Sequence, residues 1–448
     1  MTAAVAAVTD DSRPLTHRAV LAMSIPIILS NLTTPIVGAL GTGVIGQLGE
    51  PATLGGVAIS VELFNLLFWS FGFLRLSTSG LTAQAKGAGD ASEIAATLER
   101  ALLVALALGM LMILLQQPLA VLSIRLMGGS AEMQKAVHAY FVWRIWSAPF
   151  AFVNYAFLGW FIGLGQAGRA LALQLVLSVV TLAVSVVLVL IVHWGAAGAG
   201  AAVLASEAAG ACVAAALALR ELRSRGGRAT RVSLLAAAPL KQLLAINANI
   251  LVRNLCLTLA FATVAALGAR NGDLAAAANG ILLDLFAIAS NFLDGFANAA
   301  ETFVGQAIGA RRRDRLIDAM RMTSQWAGLL SLLTAVVVWL FGGLAIDAMT
   351  TSPEVRAATR EFLPWCALTP LAGVVAFQLD GFFVGATRGA DMRNTMLVSL
   401  ALFLLAVALL VPRFGNHGLW LALILFFVVR GLTLGSRLPA LVREAVGG

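Results

Sequence analysis

Five polar side chains stand out within residues 284–309, DLFAIASNFLDGFANAAETFVGQAIG: Asp284, Asn291, Asp294, Asn298 and Glu301. In a helix, a rotation of about 100° per residue gathers all five within an arc of roughly 100°. Acids inside an apolar helix are costly in a bilayer and normally face a cavity or a partner. Such a stripe can line a water-accessible path; it can equally be a structural network of ion pairs and hydrogen bonds. The chemistry for ion traffic is available. Desolvation raises the pKa of a carboxylate toward neutrality and lets it trade a proton. Clustered carboxylates, amides and carbonyls instead offer the oxygen ligands that Na⁺ takes. Asp294, Asn298 and Glu301, at i+4 and i+7 spacing, suit either ion. Asp380, in a later apolar stretch, could join Asp294 and Glu301 around Na⁺, or be neutralised by Arg430.

The rest of the chain supplies a scaffold of membrane type. Of 448 residues, 60% are hydrophobic and 12% charged, against about 25% charged in a soluble domain. The composition predicts an all-α polytopic membrane protein. A ruler of about 20 apolar residues per span gives twelve spans, at 19–46, 53–84, 95–127, 134–163, 168–193, 198–220, 238–269, 274–309, 318–349, 356–386, 391–412 and 417–440. Pro26, Pro35, Pro364 and Pro370 are candidate kinks. Basic residues crowd one set of loops, including Arg13, Arg18, Lys86, Arg169, Arg228, Arg231, Arg311, Arg388 and Arg437, while the opposite set holds few, Arg125 among them. The positive-inside rule makes the first set cytoplasmic, with both termini inside. The expected organisation is a tail at 1–18, a first six-span lobe at 19–220, a basic cytoplasmic linker at 221–237, a second lobe at 238–440 and a tail at 441–448.

Several function classes drop out. The net charge of +8 sits in short loops, and no groove-reading motif accompanies it, so nucleic acid is not an expected partner. Cys212, Cys256 and Cys366 lie far apart in apolar spans, without the spacing of a metal site or a disulfide framework. His17, His138, His193 and His417 form no metal-binding cluster. No paired-acid catalytic constellation is visible, so an enzyme is not expected. Met1–Arg18 carries acids and no short apolar core with a cleavage site, so the first span is expected to insert by itself.

The chain repeats itself at an offset of 222 residues. SGLTAQAKGAG at Ser79–Gly89 lies over ETFVGQAIGAR at Glu301–Arg311, Glu62-Leu63-Phe64 over Asp284-Leu285-Phe286, and LGWFIGLGQAG at Leu158–Gly168 over DGFFVGATRGA at Asp380–Ala390. Six spans per half keep both halves in one orientation, related by an axis along the membrane normal, with a cavity expected where they meet. Glu62 and Asp284 are pseudo-equivalent acids, but Gly72 and Ser79 stand where the second half has Asp294 and Glu301.

Secondary candidates are open in meaning. Glu207 is either a protonatable site or a helix-packing acid. Arg75, Arg144 and Arg253 suit partners of acids or snorkelling cations better than ligands of an anionic substrate. Asn247, Asn249 and Asn254 either bond across helices or line a cavity. Phe64, Phe68, Trp69, Phe71 and Phe73, with Phe286, Phe292 and Phe296, offer either a surface for flat cations or ordinary packing. Gly163, Gly165, Gly168, Gly385 and Gly389 are read as tight-turn residues, with hinges as the alternative.

The stretches LSNLTTPIVGALGTGVIGQLG, LRLSTSGLTAQAKGA, LGWFIGLGQA, LDGFANAAETFVGQAIGAR, LDGFFVGATRGADMRNTM and GNHGLWLAL run through nearly the whole chain. In this order they resemble the multidrug and toxic compound extrusion (MATE) transporters, DinF branch. The resemblance implies two six-helix lobes arranged as a V in a bacterial cytoplasmic membrane. It also implies alternating-access export of small hydrophobic, cationic compounds, coupled to H⁺ or Na⁺, with no other cofactor; a monomer is expected. The sequence departs from the family pattern where coupling acids are expected. Gly41 occupies the first-span acid position, and Thr181 and Ser185 stand in the fifth span for an Asn and an Asp. That departure keeps a second reading alive, a flippase or exporter for a specific amphipathic or lipid-linked metabolite.

Overall fold

The computed structural model describes residues 15–127, 130–226 and 237–447. Most of the basic linker, with Arg228 and Arg231, and the tail up to Pro14, with Arg13, lie outside these residues, as does the side chain of Arg125. The described chain is helical, with no strand among the described residues. Among the described residues, eleven stretches are long and apolar enough to cross a membrane. The last of them contains Gly389–Gly435, a helix of 47 residues. At about 1.5 Å per residue it far exceeds a hydrocarbon core of about 30 Å. Gly415, at φ 55° and ψ −130°, breaks it, so the count is twelve. Only glycine enters such a conformation at no steric cost. The break is tied to the eighth span, where Asn279 and Asn416 exchange amide hydrogen bonds of 2.7 and 3.0 Å and the Trp420 indole donates to Asn279 Oδ1 at 2.9 Å.

The interruptions do not fall at the four candidate prolines. His17–Gly46 and Pro353–Gly385 are continuous helices through Pro26, Pro35, Pro364 and Pro370, as neighbouring helices in a membrane permit. The second span instead changes to a 3₁₀ turn at Ser70–Gly72, between Pro51–Trp69 and Phe73–Gly87. The fourth does so at Ile145–Ser147, between Ala131–Arg144 and Ala148–Gly163. The fifth, Ala167–Ser185, runs into a π-helical turn at Val186–Ile191.

The repeat is written into the backbone. In the first half, a Cβ on Gly159 or Gly163 would collide with the carbonyl oxygens of Arg75 and Ser79 on the second span. In the second half, a Cβ on Gly381 or Gly385 would collide with those of Ala297 and Glu301 on the eighth. All four positions are related by the same 222-residue offset. Gly163 and Gly385 are therefore close-contact glycines rather than turn residues, because the facing helix leaves no room for a side chain. Gly165 does make a turn, with φ +72°.

The turn conformation persists even where glycine does not. Gly89 (φ +72°) corresponds to Arg311 (φ +53°), and Gly165 to Thr387 (φ +56°). A left-handed conformation costs an L-residue roughly 1–2 kcal/mol. Thr387 Oγ1 recovers part of this by donating to Ala386 O at 2.7 Å. Gly165→Thr is expected to cost about 1–2 kcal/mol. Thr387→Gly should be neutral or stabilise by up to about 1 kcal/mol. Thermal unfolding in detergent measures both.

Two compact units emerge: Leu29–Lys241, and Gln242–Gly448 with Met1–Ile28. The division falls inside the first span, after Ile28, where the expected boundary had been its N-terminal end. Gly295 on the eighth span has no side chain and receives Ile28 against its backbone. The core of the second-half unit is built from Trp420, Phe403, Phe426, Phe427, Leu282 and Cys366. Cys256 and Cys366 are buried, whereas Cys212 is exposed.

Candidate functional site

The stripe on the eighth span, Asp273–Gly309, is graded in depth. Asp284 is exposed, Asn291 and Asp294 are half-buried, and Asn298 and Glu301 are 6% and 1% exposed. The pattern follows from close packing around the lower half: Gly381 and Gly385 of the tenth span sit against the backbone of Ala297 and Glu301, and Gly295 admits Ile28 of the first span. Glu301 thus belongs to a packed layer, and Asp284 to an open one. Glu62, the counterpart of Asp284 in the first half, is exposed as well.

Asp380 stands on the tenth span, next to Gly381, whose backbone packs on Ala297. That contact sets Asp380 beside the turn carrying Asp294 and Asn298. Two guanidinium groups converge on its Oδ2. Arg430, from the twelfth span, donates through Nη2 at 2.6 Å, and Arg253, from the seventh, through its own Nη2. Both arginines are buried, at 5% and 9% exposure. Each makes a further contact, although Arg253 Nε is buried without a hydrogen-bond partner. Arg253 Nη1 donates to Asn254 Oδ1 at 3.0 Å, and Arg430 lies over the Phe426 and Phe427 rings at 5.6 and 5.8 Å. A void of about 10 Å³, room for one water, adjoins Asp380 and Arg430 and is lined by Thr395, Met392 and Met396.

Of the two partners weighed for Asp380, the structure supplies Arg430 and adds Arg253. Among the described residues, no three His, Cys, Asp or Glu side chains gather to hold a metal ion. Chemically, Asp380 is an anion fixed between cations, and the acids of the eighth span lie in the helix packed against it. Phe286 packs within the core against Phe261 and Phe427 in tilted ring contacts. Phe64 and Phe68 are buried and pack on the guanidinium of Arg144, at 5.4 and 4.6 Å. Arg144 is therefore satisfied by rings, and by Ser147 Oγ, not by an acid. Asn249 binds Arg393 Nη1 at 2.8 Å, near a cavity of about 280 Å³ lined by Gln242, Thr387, Arg388 and Asp391.

Glu207, on the sixth span, Gly195–Arg225, is bonded to Asn154 of the fourth. Asn154 escapes a reading focused on acids and arginines. The available signal was an amide inside PFAFVNYAFLGW, an otherwise apolar run. At the fifth span, Thr181 donates to Ser206 at 2.8 Å and Ser185 is buried.

Known proteins share this architecture. The family model described as MatE matches residues 26–187 and again 249–410, one match per half. DNA damage-inducible protein F of Escherichia coli (strain K12) is 36% identical over 428 residues, covering 96% of this chain and 92% of that protein. Protein DETOXIFICATION 44, chloroplastic, of Arabidopsis thaliana is 24% identical over 92% of this chain and 80% of its own length. A crystal structure of MATE in the bent conformation superposes with a TM-score of 0.88, at 18% identity, over 99% of both chains. The outward-facing conformation of a multidrug resistance MATE family transporter gives 0.86, at 18% identity, over 95% of this chain and 96% of that one. Matched by the family model over both halves, the chain belongs to the MatE family, whose members are membrane transporters and not enzymes.

Proposed function

We propose that this transporter is a secondary active exporter of small, hydrophobic, cationic organic compounds. It works by alternating access, and inward movement of H⁺ or Na⁺ drives it through the acids of the second half. One observation carries this reading: Asp294, Asn298 and Glu301 lie on the helix packed against Asp380, whose carboxylate is held by Arg253 and Arg430. With Asp380 held between two arginines, the change of protonation is assigned to Asp294 and Glu301 on the helix packed against it. The proposal includes a monomer in a bacterial cytoplasmic membrane, with both termini cytoplasmic.

A second reading, export of a specific amphipathic or lipid-linked metabolite with atypical coupling, draws support from the first half. Gly41, Thr181 and Ser185 supply no carboxylate where the family resemblance expects acids, and the Thr181 hydroxyl is spent on Ser206.

The test is efflux of a fluorescent organic cation from reconstituted vesicles under separate H⁺ and Na⁺ gradients. Asp294→Asn and Glu301→Gln are expected to reduce gradient-driven flux at least about tenfold, equivalent to about 1.4 kcal/mol, without loss of folded protein. Parent-like flux in both variants would overturn the assignment. No flux of organic cations from the parent under either gradient would favour the amphipathic metabolite.

A further inference from the structure

Asn154 and Glu207 meet inside the first half, and the site described above uses neither. Asn154 is 3% exposed. Its Nδ2 donates to Glu207 Oε2 at 2.8 Å and to the backbone oxygen of Glu207 at 2.9 Å. The backbone oxygen can only accept, so the orientation of the amide is fixed: reversed, Oδ1 would face a carbonyl. In that orientation Asn154 Oδ1 is buried with no hydrogen-bond partner. An orphaned buried acceptor is costly, and a carboxylate has no hydrogen to give it. A carboxylic acid has one. An acid and an amide pair through two bonds, amide N–H to carboxyl oxygen and carboxyl O–H to amide oxygen. Asn154 and Glu207 show the first of these bonds, and the missing second is the one that a proton on Glu207 supplies.

The surroundings leave that proton a place. Glu207 is the thirteenth residue of Gly195–Arg225, about 18 Å from its start and so near mid-depth in a core of about 30 Å. The field of Arg144, from the fourth span, reaches Glu207, but its guanidinium is held by Phe64, Phe68 and Ser147, and among the described residues Glu207 forms no ion pair. Tyr155 is the titratable neighbour on the fourth span. The charged residue of the fifth span, Arg169, is taken by Glu221 at 2.6 Å; on the second span Glu62 is exposed, and the field of Arg75 reaches Tyr155. The adjacent Ser206 hydroxyl donates to Val203 O and is not available as a donor to Glu207.

We propose that Glu207 and Asn154 form a proton-binding site in the first half, loaded as the acid–amide pair and unloaded as the carboxylate. Loading transfers a proton from hydronium to a Glu207 carboxylate oxygen, releasing water, and the new O–H donates a hydrogen bond to Asn154 Oδ1. The site uses none of the acids of the second half.

Infrared difference spectroscopy of the reconstituted protein across pH tests this without transport. The parent is expected to show a protonated-carboxyl stretch that disappears as pH rises. Glu207→Gln should abolish that band while remaining folded, since its amide N–H replaces the acid's donor to Asn154. Asn154→Leu should move the band to higher wavenumber by removing the hydrogen bonds. Asp294→Asn and Glu301→Gln should retain it, which separates this site from the coupling reading above. A protonated-carboxyl spectrum unchanged by Glu207→Gln, or a Glu207 band unmoved by Asn154→Leu, would overturn the proposal.

Discussion

Asp380→Ala is expected to destabilise the second-half unit by about 3–5 kcal/mol, the range for removing one partner of a buried ion pair. The size follows from Arg253 and Arg430. Both are buried, both donate to the same Asp380 oxygen, and the variant leaves two guanidiniums at close range without that anion. Solvation replaces it only in part, because the adjoining void is about 10 Å³ and admits about one water beyond the space the carboxylate vacates. Replacing charge and partners together should behave differently. A triple variant, Asp380→Leu with Arg253→Met and Arg430→Met, is expected to recover most of the lost stability, as apolar groups often substitute for buried ion pairs. It should not recover transport if Asp380 orders the neighbouring acids. Thermal unfolding in detergent, read beside vesicle efflux, separates these outcomes. A loss below about 1 kcal/mol for Asp380→Ala would mean that water or lipid reaches the arginines.

The second large effect belongs to the paired glycines. Gly381→Val and Gly385→Val are each expected to cost about 3 kcal/mol or more, at or beyond the upper end of ordinary overpacking. The added Cβ meets backbone, the carbonyl oxygens of Ala297 and Glu301, and backbone cannot rotate aside as a side chain can. Even alanine should be harmful there. Gly159→Val and Gly163→Val should be equally damaging in the first half, against Arg75 and Ser79. Gly328→Ala is the control: nothing lies within 4 Å of its added Cβ, so helix propensity alone predicts a gain of up to about 1 kcal/mol. Melting of the five variants side by side checks both statements, and tolerance of Gly381→Val would require the eighth and tenth spans to separate freely.

Much of this architecture was legible in the residues. Apolar length alone locates the spans, and the 222-residue offset between SGLTAQAKGAG and ETFVGQAIGAR anticipates the two sets of facing glycines. What the offset does not say is why glycine is required. Read one chain at a time, Gly163 and Gly385 resemble turn residues because they lie near loops, and the close helix behind them has no local signature. The acids of the eighth span were visible by composition, but their gradient of burial depends on which neighbouring face is small. The double grip on Asp380 was half legible: Arg430 follows from charge pairing, whereas Arg253 lies 127 residues away on another helix. Asn154 was missed because a single amide looks inert until its partner is known.

Gly415 also governs what can be attached to this protein. The eleventh and twelfth spans join through one residue in a conformation that other side chains avoid, with Asn416 bonded to the eighth span on its far side. There is no slack in that join for an epitope, a protease site or a fluorescent fusion. An insertion would pull Asn416 and Trp420 away from Asn279 before it reported on membrane sidedness. The turn at Gly49 and Glu50, exposed and free of such cross-links among the described residues, is the better host for a topology reporter.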